Sequence, residues 1–239
     1  MQTAFSILVM KLLAIETSTM VGSIALISDH RLLAEYQMGI KATYSDALIP
    51  LIDNVLSNTR IPIQEIDGFA LALGPGSFTA LRIGLSIIKG LALATKKPLV
   101  GIPTLDSLAH NMCFSNFLIC PVLDARKGEV YTAFYKREDG STLKKLTPDR
   151  VVKPQRLLDE IHEEVIFLGD GSDVYRDIIL RRLKEKVLFA PLHLKYPKAS
   201  SIAQLALEKF KDNEVMDIER ITPVYVRPPE AEIKWKEKR

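Results

Sequence analysis

LALGPGSFTALRIGLSIIKGLALAT, residues 71–95, is the stretch whose reading decides the fold. Three apolar or small residues lead into Gly74-Pro75-Gly76-Ser77, and a long run of helix formers follows. This predicts a buried strand, a tight turn and a helix from about Ser77 to Thr95. The turn has two readings. A helix start after glycines favours anions, and Ser77 is suited to an N-cap, so it could cradle a phosphate. No lysine follows the glycines, so it is not a Walker-type loop, and it could equally be a corner of the fold.

The helix beyond the turn is unusual. Thr79, Arg82, Ser86 and Lys89 form one narrow polar stripe, while Leu81, Ile83, Leu85, Ile87, Ile88 and Leu91 fill the rest. A surface helix normally shows a wider polar face, so this one is expected to be covered on more than one side. Gly84 and Gly90 weaken it by roughly 1 kcal/mol each relative to alanine, which makes sense where another backbone comes close. A second helix, from Ser45 to Asn58, has a similar apolar excess at Ala47, Leu48, Leu51, Ile52, Val55 and Leu56. Either the same chain covers both helices, or a protein partner does.

Outward from these helices the pattern repeats. Three strands precede them, at about residues 10–16, 22–28 and 31–38, and a strand at 98–103 and a short helix follow. At Phe117 the order restarts. A strand ends on Asp124 as the first ended on Glu16, and a tight turn, further strands at about 129–137 and 143–152, and alternating helices and strands come after it. The last helix is expected at about 200–211. The expected fold is therefore α/β and two-lobed, with a mixed sheet in each lobe. In chain order the lobes are 10–113 and 114–226, between an N-terminal extension (1–9) and a charged tail (227–239). Met10 is a candidate native start, because the globular pattern begins there.

Composition narrows the function. With 239 residues, 47% hydrophobic and 26% charged, the chain is an ordinary globular protein. A net charge of +3 neither demands nor excludes nucleic acid. The first apolar run is broken by Lys11 and is too short for a membrane span. Cys113 and Cys120 have neither a disulfide framework nor zinc-knuckle spacing and read as reduced thiols. His30, His110, His162 and His193 are scattered, with no HExxH and no G-x-S-x-G elbow, so no metal or nucleophile site is expected. Glu16 and Asp124 could hold a metal-bound phosphate between the lobes or merely cap turns. LGDGSDVY, residues 168–175, could meet an adenosine or simply be a helix start capped by Ser172 or Asp173. Lys234, Lys236, Lys238 and Arg239, diluted by glutamates, read as a solvated end or a weak RNA contact.

Several motifs occur together and in order: LLAIETST, GPGSFTALRIG, IPTLDSLA, LDARKGEVYTAFY and TPVYVRPPEAE. From about Met10 to the end the chain resembles the bacterial TsaB (YeaZ) family. The resemblance implies a two-lobed ASKHA fold, actin-like or ribonuclease-H-like. It also implies a part in making threonylcarbamoyladenosine next to the tRNA anticodon. In that family the transfer belongs to the paralogue TsaD, which holds a metal through histidines, and TsaB is its scaffold and activator. TsaE, an ATPase, joins them, and TsaB forms homodimers when TsaD is absent. The resemblance thus implies no catalytic residue, metal or cofactor in this chain. ATP or ADP and metal are expected in the partner subunits, tRNA is reached through the complex, and the location is cytoplasmic with no membrane.

Leu48, Leu51, Ile52, Val55, Ile83, Ile87 and Leu91 are then the candidate partner interface. Glu16, Thr17, Ser18, Asp124, Gly169 and Gly171 are a candidate vestigial nucleotide or phosphate site, with Gly74, Pro75, Gly76 and Ser77 as the motif turn. The rival is an ASKHA phosphotransferase or ATPase, or an inactive-peptidase-like protein, acting alone. Two positions depart from the family pattern: Ala80 replaces a common glycine, and Tyr44-Ser45-Asp46 replaces His-Ser-Glu.

Overall fold

A computed structural model describes residues 9–39, 44–138 and 143–227. The expectations for residues 1–8 and for the basic tail from 228 onward lie outside these residues.

The first sheet contains β1 (Lys11–Glu16), β2 (Val21–Ser28), β3 (Arg31–Gly39), β4 (Gly68–Gly74) and β5 (Leu99–Pro103), in the order β3-β2-β1-β4-β5. The first three strands form an antiparallel meander, while β1–β4 and β4–β5 are parallel. The parallel links are made through α1 (Tyr44–Thr59) and α2 (Phe78–Thr95). Strands buried on both faces read as near-continuous apolar runs, and LLAI and GFALALG are of this kind. Alternation then sorts their side chains. Leu13, Ile15, Phe69, Leu71 and Leu73 meet α1 and α2, while Leu12, Ala14, Ala70 and Ala72 point the other way.

The second sheet repeats the plan. It holds β6 (Leu118–Asp124), β7 (Val130–Thr132), β10 (Arg150–Val152), β11 (Val165–Leu168) and β12 (Val187–Phe189), in the order β10-β7-β6-β11-β12. Two short strands, β8 (Tyr135–Arg137) and β9 (Leu143–Lys145), branch from β6. The single strand expected over 129–137 is thus broken into β7 and β8, and that over 143–152 into β9 and β10. Strand β12 was not expected, because only three residues of it pair. Helices α4 (Pro154–Asp159), α5 (Gly171–Val174) and α6 (Arg176–Leu183) follow β10 and β11, and α4 and α6 cover one face.

The other faces are covered by an exchange. Helix α7 (Ala199–Lys211) packs Ala199, Ile202, Ala203, Ala206, Leu207 and Phe210 on the first sheet, against Leu12, Ala14, Ala25, Ala70 and Val100. Helix α3 (Thr104–His110) places Leu105, Leu108 and Ala109 in a core with Ile119, Leu123, Ile166 and Leu168 of the second sheet. Segment 216–224 also returns: the Met216 N–H donates to Leu99 O, and Ile221 is buried with the first core. The division into 10–113 and 114–226 therefore follows chain order but not packing. Asn111 joins the crossing elements, donating to Leu194 O (3.0 Å) and Tyr196 O (2.8 Å) and accepting from Ser201 Oγ (2.7 Å).

Helix α2 meets the length and apolarity of a membrane span, but six of its residues lie in the protein's own core. Cys120 is buried, and burial pushes its thiol up to about 12, whereas Cys113 is half-buried. Trimming Ile202 to alanine should cost about 2–5 kcal/mol in urea unfolding. Amides of β1 and β4 should lose protection, although the mutation lies near the far end of the chain.

Candidate functional site

The Gly74–Ser77 turn is a corner held against the β1–β2 turn. The Ser77 N–H donates to Ser18 O at 2.7 Å. A Cβ on Gly76 would lie 2.4 Å from that same oxygen, and one on Gly84 would lie 2.4 Å from Thr17 Oγ1. Only glycine lets α2 lie this close to residues 17–18. Gly90, by contrast, has open space around it. Ser77 occupies the N-cap position of α2, but its hydroxyl makes no capping bond. Ser45, where the second helix was expected to begin, lies inside the first turn of α1. Tyr44 is buried and donates from its hydroxyl to Thr19 O at 2.5 Å, tying the start of α1 to the same β1–β2 turn. Burial raises its phenol above the ordinary range.

A cleft of about 760 Å³ opens between the lobes. Its walls include Ser18, Thr19, Pro75, Gly76, Ser77, Phe78, Arg82, Asp124, Arg126, Asp170 and the segment Val224–Arg227. Of the six expected phosphate-site residues, the structure brings only Ser18 and Asp124 to this cleft. Glu16 and Thr17 are buried beneath the turn. Gly169 and Gly171 lie against β6, where a Cβ on Gly169 would meet Val122 O at 2.1 Å.

Asp124 is paired with Arg126 at 3.3 Å, and its backbone N–H donates to Asp170 Oδ1 at 3.1 Å. Burial raises the Asp170 carboxyl. Asp170 was missed in the sequence, although it stands inside LGDGS. Neither expected cap of that helix forms. Ser172 Oγ donates to Gly169 O at 2.6 Å, and Asp173 pairs with Lys195 at 2.7 Å. Among the described residues, no three of His, Cys, Asp and Glu are grouped to hold a metal.

Glu16 has another role. It is fully buried, accepts from the Ser18 N–H, and leaves Oε2 without a hydrogen-bond partner. Burial outweighs that hydrogen bond and pushes its carboxyl from the ordinary 4.5 up to about 7. This is a group that strains the fold when ionised.

Three of the seven expected interface residues belong to the core. Leu48, Ile52 and Val55 are 1%, 5% and 0% exposed, because they form the α1 face that meets the sheet. Leu51, Ile83, Ile87 and Leu91 are half-buried at its flank. Spacing shows an apolar excess, but it does not show which residues the sheet takes first.

Two lobes of matching topology, each a mixed sheet, with a cleft between them, define an ASKHA protein. A family model, TsaD: tRNA N6-adenosine threonylcarbamoyltransferase, matches residues 25–235. The tRNA threonylcarbamoyladenosine biosynthesis protein TsaB of Bacillus subtilis is 33% identical over 229 residues, which is 95% of this chain and 98% of that protein. YeaZ from Pseudomonas aeruginosa superposes with a TM-score of 0.76 at 26% identity, covering 90% of this chain and 99% of that one. Component A of the Acidaminococcus fermentans (R)-2-hydroxyglutaryl-CoA dehydratase shares the fold alone, at TM-score 0.52 and 12% identity, covering 84% of this chain and 98% of that one. The chain belongs to the TsaB (YeaZ) family, within the wider group that the TsaD model describes.

Gly84→Ala should destabilise the chain by about 1–3 kcal/mol despite the better helix propensity of alanine, because the methyl has no room. Thr17→Ala in the same chain should recover part of the loss in a thermal melt. The pH dependence of stability should carry the mark of Glu16. The folded chain keeps that proton up to about pH 7, and the unfolded chain only to about 4.5. Its contribution is therefore full below about pH 4.5 and is lost as pH rises through 7. Glu16→Gln should gain stability relative to wild type between pH 5 and 8, as measured by melting temperature across that range.

Proposed function

We propose that this chain is a non-catalytic scaffold and activator of TsaD in forming threonylcarbamoyladenosine on tRNA. The observation that carries the proposal is the half-exposed apolar row Ile83, Ile87 and Leu91 on α2, four residues apart, with Leu51 of α1 at the same core's margin. Gly90 leaves open space beside that row, room for a second backbone. Apolar helix faces of this kind can supply the roughly 800 Å² per partner of a standard interface. In this reading TsaE joins the pair, and the same face makes a homodimer when TsaD is absent. The nucleotide, the metal and the tRNA chemistry sit in the partners, in the cytoplasm.

The rival, a phosphotransferase or ATPase working alone, draws on the cleft and on Asp124 and Asp170. It lacks a second acid at the end of β1, since Glu16 lies beneath the surface. Reconstitution separates the two: TsaD-dependent tRNA modification should require this chain, and the isolated chain should show no magnesium-dependent ATP turnover. Ile87→Glu with Leu91→Glu should abolish co-purification with TsaD while the monomer keeps its fold. Val55→Glu should unfold the monomer instead, because an unpaired charge would enter the core. Retained co-purification by the Ile87/Leu91 variant would reject this face as the interface.

A further inference from the structure

The polar stripe of α2 faces the returning end of the chain. Lys89 Nζ donates to Glu219 O at 3.0 Å, and Arg82 Nε donates to the Tyr225 hydroxyl at 2.9 Å. The Arg82 guanidinium lies 3.9 Å over the Phe78 ring, and Tyr225 packs on Phe78 with ring centroids 4.9 Å apart. Beneath them Ile221 is buried, and the Val224 N–H donates to Leu73 O at 2.8 Å. All of these contacts are to the first lobe. Beyond them Val224, Tyr225, Val226 and Arg227 form one wall of the interlobe cleft. Arg227 then crosses to the second lobe, where its Nη1 lies 3.1 Å from Glu129 Oε2 in the β6–β7 turn. Both side chains are about a quarter exposed, at 23% and 25%.

We propose that residues 217–227 are a strap that sets the separation of the two lobes at the cleft, with the Arg227–Glu129 pair as its release clip. The two anchors are unequal. The first-lobe anchor is made at several points, with Ile221 buried, Tyr225 packed on Phe78 and hydrogen bonds from Lys89, Arg82 and Val224, so it stays attached when the structure opens locally. The second-lobe anchor is an ion pair within reach of water, the kind of contact that contributes little and that salt screens. Opening therefore begins at Arg227, and the second lobe moves away from a cleft wall that stays on the first. Anything entering the cleft meets Tyr225, which is locked to Phe78 and Arg82 at the start of α2, so the strap joins the cleft to that helix.

Hydrogen exchange on the full chain, read by mass spectrometry, tests the clip. Arg227→Glu should speed exchange of the β6–β7 turn at 125–129, where the Ala125 and Glu129 N–H groups are hydrogen-bonded, by roughly tenfold, and leave the first-lobe anchor at 217–225 near wild type. The charge swap Arg227→Glu with Glu129→Arg should restore protection, and high salt should mimic the single variant in wild type. Glu129→Gln, of nearly the same shape, gives the same readout should a charge-reversed chain not fold. Spin labels on exposed Leu93 and Val174, one in each lobe, test the separation. Their distance distribution should broaden in Arg227→Glu and narrow again in the swap. Unchanged exchange at 125–129, or an unchanged distance distribution alongside faster exchange, would overturn the proposal.

Discussion

Both faces of the first sheet are apolar, and a sheet with two apolar faces needs a layer on each. Helices α1 and α2 supply one layer. The other must accept Ala14, Ala25, Ala70 and Ala72, a shallow surface that suits a helix equally rich in small residues. Helix α7, with Ala199, Ala203 and Ala206 on its inner face, is that helix. Because it lies near the end of the chain, the polypeptide has to finish the second lobe and then return. Helix α3 makes the opposite loan to the second sheet. The two lobes are thus bound by exchanged helices, and Asn111, at the end of α3, bonds to Ser201 of α7 and to Leu194 just before that helix.

The return of the chain shapes the cleft as well. After α7 the backbone meets β5 at Met216, then runs along the polar stripe of α2 from Lys89 to Arg82, bonding to the end of β4 at Val224 as it reaches the cleft wall. That route explains why α2 needs so few polar residues. One flank meets the sheet and the Arg82–Lys89 flank meets the returning chain. The Ile83–Leu91 flank is left half-covered, and the partner proposal rests on it. The contact of Gly76 and Gly84 with residues 17–18 holds α2 at the distance that makes this arrangement possible.

Long, strongly patterned elements were legible in the sequence: the first meander, α1, α2 and the apolar runs of β4 and β6. Their periods come from side-chain burial on one or two faces, which sequence records directly. Short elements were not. Strand β12 spans three residues, and the breaks between β7 and β8 and between β9 and β10 span two and four, too few to establish a period. The site was legible as motifs but not as geometry. Glu16 stands at the end of its strand as expected, yet its side chain folds under to Ser18 rather than into the cleft. Asp170 and Arg227 reach the cleft through the fold, and nothing in their local spacing announces it.

By itself the sequence determined the two-lobed α/β plan, a turn at Gly74–Ser77 between a strand and a helix, and the surplus apolar surface of two neighbouring helices. Each of these is a local property, fixed by hydrophobic period, glycine placement and turn chemistry. The tertiary structure alone decided which sheet each helix covers, which of the seven apolar candidates are core, and which acids face the cleft. Those outcomes depend on contacts between residues far apart in the chain. An amphipathic helix such as α7 carries the same face whichever sheet it meets, so only the completed packing assigns its partner.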